Sequence, residues 1–230
     1  MLPESLAREN RTATLRLTAL HPFHVFREAF GRVELRRLMT ALILVGIPFG
    51  FFVNNFSVLA LDAISWNATL IGLVTTAVGV VDIVIQGALL GFLLPRLGER
   101  GVIISGVVTQ AVGLLALALV ASILAQPWLF VVGTLALAAG QGAATATMDG
   151  VLANSVGDDE QGWLAGTTQS LSSGIGIVAP LLAGLLYSQL GHAAPYALGC
   201  ALMVAAVAVL SRAPFPGGAA LNERAQVQSV

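Results

Sequence analysis

Charge is what this chain has least of. Only 10% of its 230 residues are Asp, Glu, Lys or Arg, and lysine is absent altogether: all 11 basic residues are arginine. Soluble globular chains carry about 25% charged residues, so most of this surface is not built to face water. Cysteine is nearly missing too. The single Cys200 lies in an apolar run, which rules out a disulfide framework or a cysteine metal cluster. His21, His24 and His192 lie outside the long apolar segments and are too scattered to hold a metal, and no cofactor is expected. The first twenty residues contain Arg8, Arg11 and Arg16 but no apolar stretch, so no signal peptide is expected. Nucleophile elbow, phosphate loop and paired membrane-protease glutamates are all lacking, which argues against an enzyme. The net charge of −1 decides nothing about nucleic acid by itself, and none is expected as a partner once the placement of charge is considered.

What is abundant is apolar. Hydrophobic residues make up 57% of the chain and the mean hydropathy is +0.87. Six long apolar segments stand out, at residues 38–61, 70–94, 102–124, 128–148, 167–187 and 194–211. A helix of about 20 residues crosses a ~30 Å hydrocarbon layer, so each is at or near spanning length. The expected fold is therefore all-α and integral to a membrane, with six transmembrane helices and the lipid bilayer as first partner. Residues 1–37 read as an N-terminal linker. Within it Phe23, Phe26, Phe30 and Val33 share a helical face, either as an interfacial helix or as an extension of the first span. The Pro/Gly cluster Pro214, Pro216, Gly217 and Gly218 should break any helix, leaving residues 212–230 as a disordered tail.

Arginine placement gives an orientation. None occurs between Arg37 and Arg96, or between Arg100 and Arg212. With six spans, every arginine falls on one side, which the positive-inside rule makes the cytoplasm, with both termini there and the protein in the cell membrane. The loop with Asp158, Asp159 and Glu160 falls on that side and reads as solvated. A faint internal echo is also present. Gly91, Leu97 and Gly98 match Gly184, Leu190 and Gly191 at one constant offset, as two inverted three-helix units would produce.

The second apolar segment holds the sharpest polar feature. Thr75, Gly79, Asp82 and Gln86 follow helical spacing on one face. An acid at the bilayer centre costs roughly 2.5–3.5 kcal/mol on insertion scales, so that face turns inward. Asp82 either exchanges a proton as its surroundings alternate between wet and dry, or is a structural acid, permanently protonated or bonded to Gln86 or a neighbouring helix. Asn54, Asn55, Gln141 and Thr145 are candidate substrate-cavity residues; plain helix-to-helix hydrogen bonds are the alternative for the amides.

Three stretches together resemble the major facilitator superfamily. The turn Gly91-Phe-Leu-Leu-Pro-Arg-Leu-Gly-Glu-Arg100 is similar to that family's signature between paired helices, with Arg96, Gly98 and Arg100 closing a cytoplasmic loop. Pro95 stands where the N-terminal copy usually has Asp, as is typical of the C-terminal copy. Asp159-Glu-Gln-Gly162, with the Gly/Ser-rich run from Gly166 to Gly174 and Ala179-Pro180 beyond it, resembles the approach to the eleventh helix, closest to the drug/proton antiporter branch that includes tetracycline exporters. Leu2-Pro-Glu-Ser-Leu6 resembles the exit from the sixth.

The resemblance implies the C-terminal six-helix half of a transporter. In that fold the first and fourth helices of a half line the cavity, the second and fifth meet the other half, and the third and sixth face lipid. Gln86, Gly87, Gly91, Gln169, Ser172, Ser173 and Gly176 would then pack between halves. The implied activity is proton-coupled efflux of a small amphipathic compound by alternating access, with a separate N-terminal half or a second copy as partner. A non-transporting remnant, a membrane assembly partner and a homodimeric six-helix carrier are the rival readings.

Overall fold

The computed structural model describes residues 22–157 and 160–213. The Leu2–Leu6 stretch, Asp158, Asp159 and the Pro/Gly cluster of the tail lie outside them. The elements are α1 (Pro22–Gly31), α2 (Val33–Ile64), α3 (Ala68–Val84), a π-helical turn (Ile85–Leu89), α4 (Leu90–Ser122), α5 (Pro127–Asn154), α6 (Gln161–Leu190) and α7 (Ala194–Leu210). Among the described residues, four unbroken helical stretches are long and apolar enough to cross a membrane: Leu35–Ile64, Ala68–Ser122, Pro127–Asn154 and Gln161–Leu190. The second is 55 residues long but folds back at Gly98, where φ 66 and ψ 167 leave the helical region. It is thus two rods, and with the shorter apolar α7 the described residues form six.

Where the chain reverses, the residues supply what a reversal needs. Asn67 caps α3 by accepting from the Leu70 N–H at 3.0 Å, and Pro127 opens α5 where no amide donor is required. The seven-residue loop expected around Pro95 is in fact a single-residue break. Gly98 takes a backbone conformation essentially closed to side chains with a Cβ, so the two rods meet with almost no intervening loop. Gly191 does the same between α6 and α7, at φ 100 and ψ 165. These two are the positive-φ glycines among the described residues, and they are the matched pair of the internal echo.

Packing follows the same symmetry. The first rod (α2) packs on the fifth (α6) and sixth (α7); the fourth (α5) packs on the second and third; the third and sixth pack on each other. Exchanging the two three-rod units leaves that pattern unchanged, as an inverted repeat requires. Buried apolar residues concentrate among the first, third, fourth and sixth rods, with Leu38, Ile103, Leu114, Leu137 and Met203 at the centre. The third and fourth rods touch backbone to backbone. A Cβ on Gly140 would lie 2.4 Å from the Gly106 carbonyl oxygen, and one on Gly113 would lie 2.6 Å from the Gly133 carbonyl oxygen. Small residues permit that approach in a bundle where lipid gives no hydrophobic drive to associate.

The second and fifth rods stand apart. No residue of α3 is buried, and in α6 only Leu164, Thr167, Ala179 and Ala183 are.

Several boundaries differ from those expected; α6, for one, begins at Gln161 rather than at Thr167. The amphipathic segment does not choose between its two readings: α1 is separate, the chain breaks at Arg32 (φ −78, ψ 116), and α2 begins at Val33 as an extension of the first rod. Likewise, α5 runs to Asn154 rather than stopping at Met148. Hydropathy ends a span at its first charged residue, whereas backbone hydrogen bonding does not.

Both ends of the bundle are tied. At one, Arg37 and Arg100 donate to the Arg212 and Ser211 carbonyl oxygens beyond α7, satisfying acceptors that a helix end leaves open. Arg32 donates two hydrogen bonds of 2.7 Å to Glu160 and one of 3.1 Å to Glu28, and lies 4.9 Å over the Trp163 ring. Hydrogen bonding to Arg32 holds the Glu160 carboxyl below the usual glutamate range. Glu160 stays partly solvent-exposed in the turn before α6, and it is also a clasp between α1, α2 and α6. At the opposite end the Tyr187 hydroxyl donates to Asp62 at 2.9 Å and its ring stacks on His192 at 4.4 Å.

Candidate transport cavity

Gln141, Thr145 and Asp149 recur every four residues along α5 and so share one face. That face meets α2 and α6 around a cavity of about 430 Å³, whose lining includes Gly50, Asn54, Ser172 and Gly176. Two glycines of α2 set its width on the far side. A Cβ on Gly50 would sit 2.5 Å from Ala179 Cβ, and one on Gly46 2.9 Å from Ile175 Cδ1, so the first and fifth rods close tightly there. Thr145, Asp149 and Ser172 also line a second space of about 640 Å³ that reaches Gln161, Gly162 and Gln169 at the start of α6. It opens toward the end where the arginines gather.

Gln141 faces two ways. It lines the 430 Å³ cavity and also a third space of about 370 Å³ between the first, second and fourth rods, which holds Thr75, Gly79 and Asp82. The Gln141 side-chain carbonyl is buried and has no hydrogen-bond partner among the described residues, leaving an acceptor for whatever enters. Asp82 reaches over Gly142: a Cβ on that glycine would lie 2.4 Å from Asp82 Oδ1. Among the described residues no hydrogen bond or ion pair engages this carboxylate, so the bond to Gln86 is not formed. Just past Asp82 the helix widens into the π-helical turn, and Gln86 is not among the residues lining this space. A π turn shifts the register of one face against the next, which a constant 3.6-residue spacing does not foresee.

The amide pair Asn54 and Asn55 separates. Asn54 lines the cavity, its Nδ2 donating to the Gly50 carbonyl at 2.8 Å. Asn55 does not: it is buried, and its Nδ2 donates to the Ala183 carbonyl of α6 at 3.3 Å. Neighbours on a helix point about 100° apart, so one asparagine faces the cavity while the other joins two rods.

Gln86, Gly87, Gly91, Gln169, Ser172, Ser173 and Gly176 are all exposed in this chain. A Cβ at Gly87, Gly91 or Gly176 would meet nothing within 4 Å, so these glycines allow no close contact within the chain. Ser172 and Gly176 reach the cavity as well as the outer surface. Arg96 donates to the Phe92 carbonyl at 3.0 Å with its guanidinium 3.5 Å over the Phe92 ring, and Gly98 makes the turn. No grouping of three or more potential metal-ligating side chains occurs among the described residues.

Asp149 is the residue that reading the sequence missed. The signal was present in the spacing 141, 145, 149, but ending the fourth span at Met148 put Asp149 in a loop.

The profile described as Major Facilitator Superfamily matches residues 38–229. The class C tetracycline resistance protein of Escherichia coli is 29% identical over 188 residues, covering 82% of this chain and 46% of that protein. The class H protein of Pasteurella multocida is 35% identical over 123 residues, covering 54% and 30%. Solute carrier family 22 member 18 of Mus musculus is 27% identical over 149 residues, covering 65% and 36%. This chain therefore spans less than half the length of these curated relatives.

Proposed function

The chain belongs to the major facilitator superfamily, and from that premise we propose that its six rods form one half of an alternating-access pump exporting a small amphipathic compound against protons. Membership makes it a multi-pass membrane protein of a transporter family rather than an enzyme. Export, proton coupling and the half-pump assignment are the proposal. The observation that carries it is the set of adjoining cavities meeting at Gln141, with amide and hydroxyl groups in apolar walls and an unengaged carboxylate at Asp82. A cavity of about 300–1,000 Å³ with few polar groups is what a small amphipathic ligand needs. Tetracycline resistance among the relatives supports export as the direction.

The exposed faces of the second and fifth rods support a second six-helix unit against them, since Gln169, Ser172 and Ser173 are poor neighbours for acyl chains. A separate N-terminal half is the unit proposed, and a second copy of this chain is the alternative. The arginine-bearing end is assigned to the cytoplasm, with both termini there.

Asp82→Asn tests the coupling. In everted membrane vesicles containing the chain and its complementary half, cargo addition should release protons in the parent. The variant should abolish that release while remaining in the membrane at normal abundance. Unchanged proton flux in Asp82→Asn would remove Asp82 from the coupling step.

A further inference from the structure

The covered side of the second rod changes step once. Its buried and half-buried positions run through Ile71, Val74, Val78, Asp82 and Ile85 at intervals of three and four. They then jump five residues to Leu90, and Leu94 resumes the spacing of four. Inside the jump Gln86, Gly87, Ala88 and Leu89 are all exposed. The jump is the π-helical turn Ile85–Leu89, closed by the Leu90 N–H donating to the Ile85 carbonyl five residues back. An α-helix repeats every 3.6 residues, so without the extra residue Ile85 and Leu90 could not both face the fourth rod. The two sides of the turn are held unequally. On one side Leu90 is buried with Val102 and Ala143, and Leu93 and Leu94 pack against them. On the other, no residue of α3 is buried, and the Thr75 and Thr76 hydroxyls donate to carbonyls of their own helix rather than to a neighbouring rod.

We propose that the π turn is a register switch, presenting Asp82 to the space it shares with Gln141 in one state and withdrawing it in the other. Relaxing the turn to α-helix removes one residue from the step. With Leu90 fixed, each residue of α3 then moves into the place of the residue before it, a rotation of about 100°. Gln86 takes the place of Ile85, Ile83 that of Asp82, and Val80 that of Gly79. The space of about 370 Å³ loses its carboxylate and gains two apolar side chains beside the existing wall of Phe49, Phe52 and Phe56. It is α3 that turns, because it buries nothing and because Gly142 opposite it has no Cβ to block an incoming side chain. The π register is the favoured one, since the α register puts the Gln86 amide where Ile85 is buried. The use of this switch in transport deepens the reading above and rests on it.

The test is the distance between nitroxide labels at Leu73→Cys and Leu185→Cys, both exposed positions, in the full-length chain with Cys200→Ser, purified into lipid nanodiscs. A side-chain tip about 5–6 Å from a helix axis moves by about 8 Å in a 100° turn, so two registers give two resolved distances. The parent should show a major and a minor distance. Gln86→Leu removes the polar group that opposes the α register and should raise the minor population threefold or more. Deleting Ala88 shortens the step from Ile85 to Leu90 to four residues, so an unbroken α-helix keeps Asp82 where the π turn puts it. That variant should show the major distance alone, and circular dichroism of each variant confirms the helical fold. A single distance in both the parent and Gln86→Leu would overturn the switch, as would a deletion variant that adopts the minor distance. Cargo-driven proton flux, in vesicles that also contain the complementary half, is read separately. The Ala88 deletion should lower it tenfold or more, with Asp82 present but unable to withdraw. Full flux in that variant beside two distances in the parent would refute the part of the switch in pumping. Two distances with no flux in the parent would refute the transport reading and leave the switch standing.

Discussion

Gly142→Ala isolates the position of one carboxylate from the stability of the bundle. The added carbon would lie 2.4 Å from Asp82 Oδ1 and 3.5 Å from Ile85 Cγ2, while ordinary contact begins near 3.4 Å. The carboxylate must therefore retreat by about 1 Å. It is the free end of a side chain with a 370 Å³ space beside it, so it can move. The helix gains about 1 kcal/mol in propensity from Gly to Ala, which offsets the small cost of displacement. Gly140→Ala, two residues earlier, is the contrast. Its Cβ would meet the Gly106 carbonyl oxygen at 2.4 Å and the Gln110 amide nitrogen at 2.8 Å, and backbone cannot rotate aside. The third and fourth rods would have to separate, at about 1–3 kcal/mol for overpacking. At roughly 2–4 °C per kcal/mol for a chain of this size, that is a fall of about 2–12 °C. Thermal unfolding in detergent and cargo-driven proton flux in vesicles are the two readouts. Gly142→Ala should melt within about 2 °C of the parent yet lose tenfold or more in flux, since a 1 Å misplacement of a reacting group can cost about a hundredfold. Gly140→Ala should do the opposite at temperatures where it remains folded. Normal flux in Gly142→Ala would show that the placement of Asp82 does not matter, and destabilisation equal to that of Gly140→Ala would show that the packing argument is wrong.

Gln110 lies fully buried in the third rod with both side-chain amide atoms unpartnered. Gln110→Leu, similar in size and without polar atoms to satisfy, should raise thermal stability by about 1–2 kcal/mol, measured by the same unfolding assay; a loss would show that the amide finds a partner in the membrane. The clasp between Arg32 and Glu160 should respond to acid. The folded-state value of Glu160 is lowered, so its contribution is complete above the ordinary glutamate range and disappears as pH falls through the lowered value. Spin labels at Gly31→Cys and Gly162→Cys, in a Cys200→Ser background, should report a fixed distance at neutral pH that broadens in strong acid. Glu160→Gln should show the broadening at every pH. A distance indifferent to both changes would mean that α1 is held by its apolar contacts alone.

Most of the architecture was legible in one dimension. Six apolar segments, arginine confined to alternate connections and the echo of Gly98 in Gly191 are local properties, and each survives in three dimensions as a rod, a tied end or a reversal. A bilayer enforces this directly, because length and hydropathy alone decide whether a helix crosses it. Glycine at the reversals is equally local, since the backbone there excludes a Cβ.

The site was legible only in part, and the failures share a cause. Asn54 and Asn55 are indistinguishable by composition, yet one lines the cavity and the other bonds Ala183. Asp82 was found because an acid in an apolar helix is conspicuous; Asp149 escaped because it sits where hydropathy had already ended the span. Composition and periodicity determined that this chain would form rods, where they would turn, and which of their ends would lie together. Only the tertiary structure decided which side chains face one another. That depends on the rotation and separation of three rods at once, set here by close approach at Gly46, Gly50 and Gly142, and no property read along a single helix contains it.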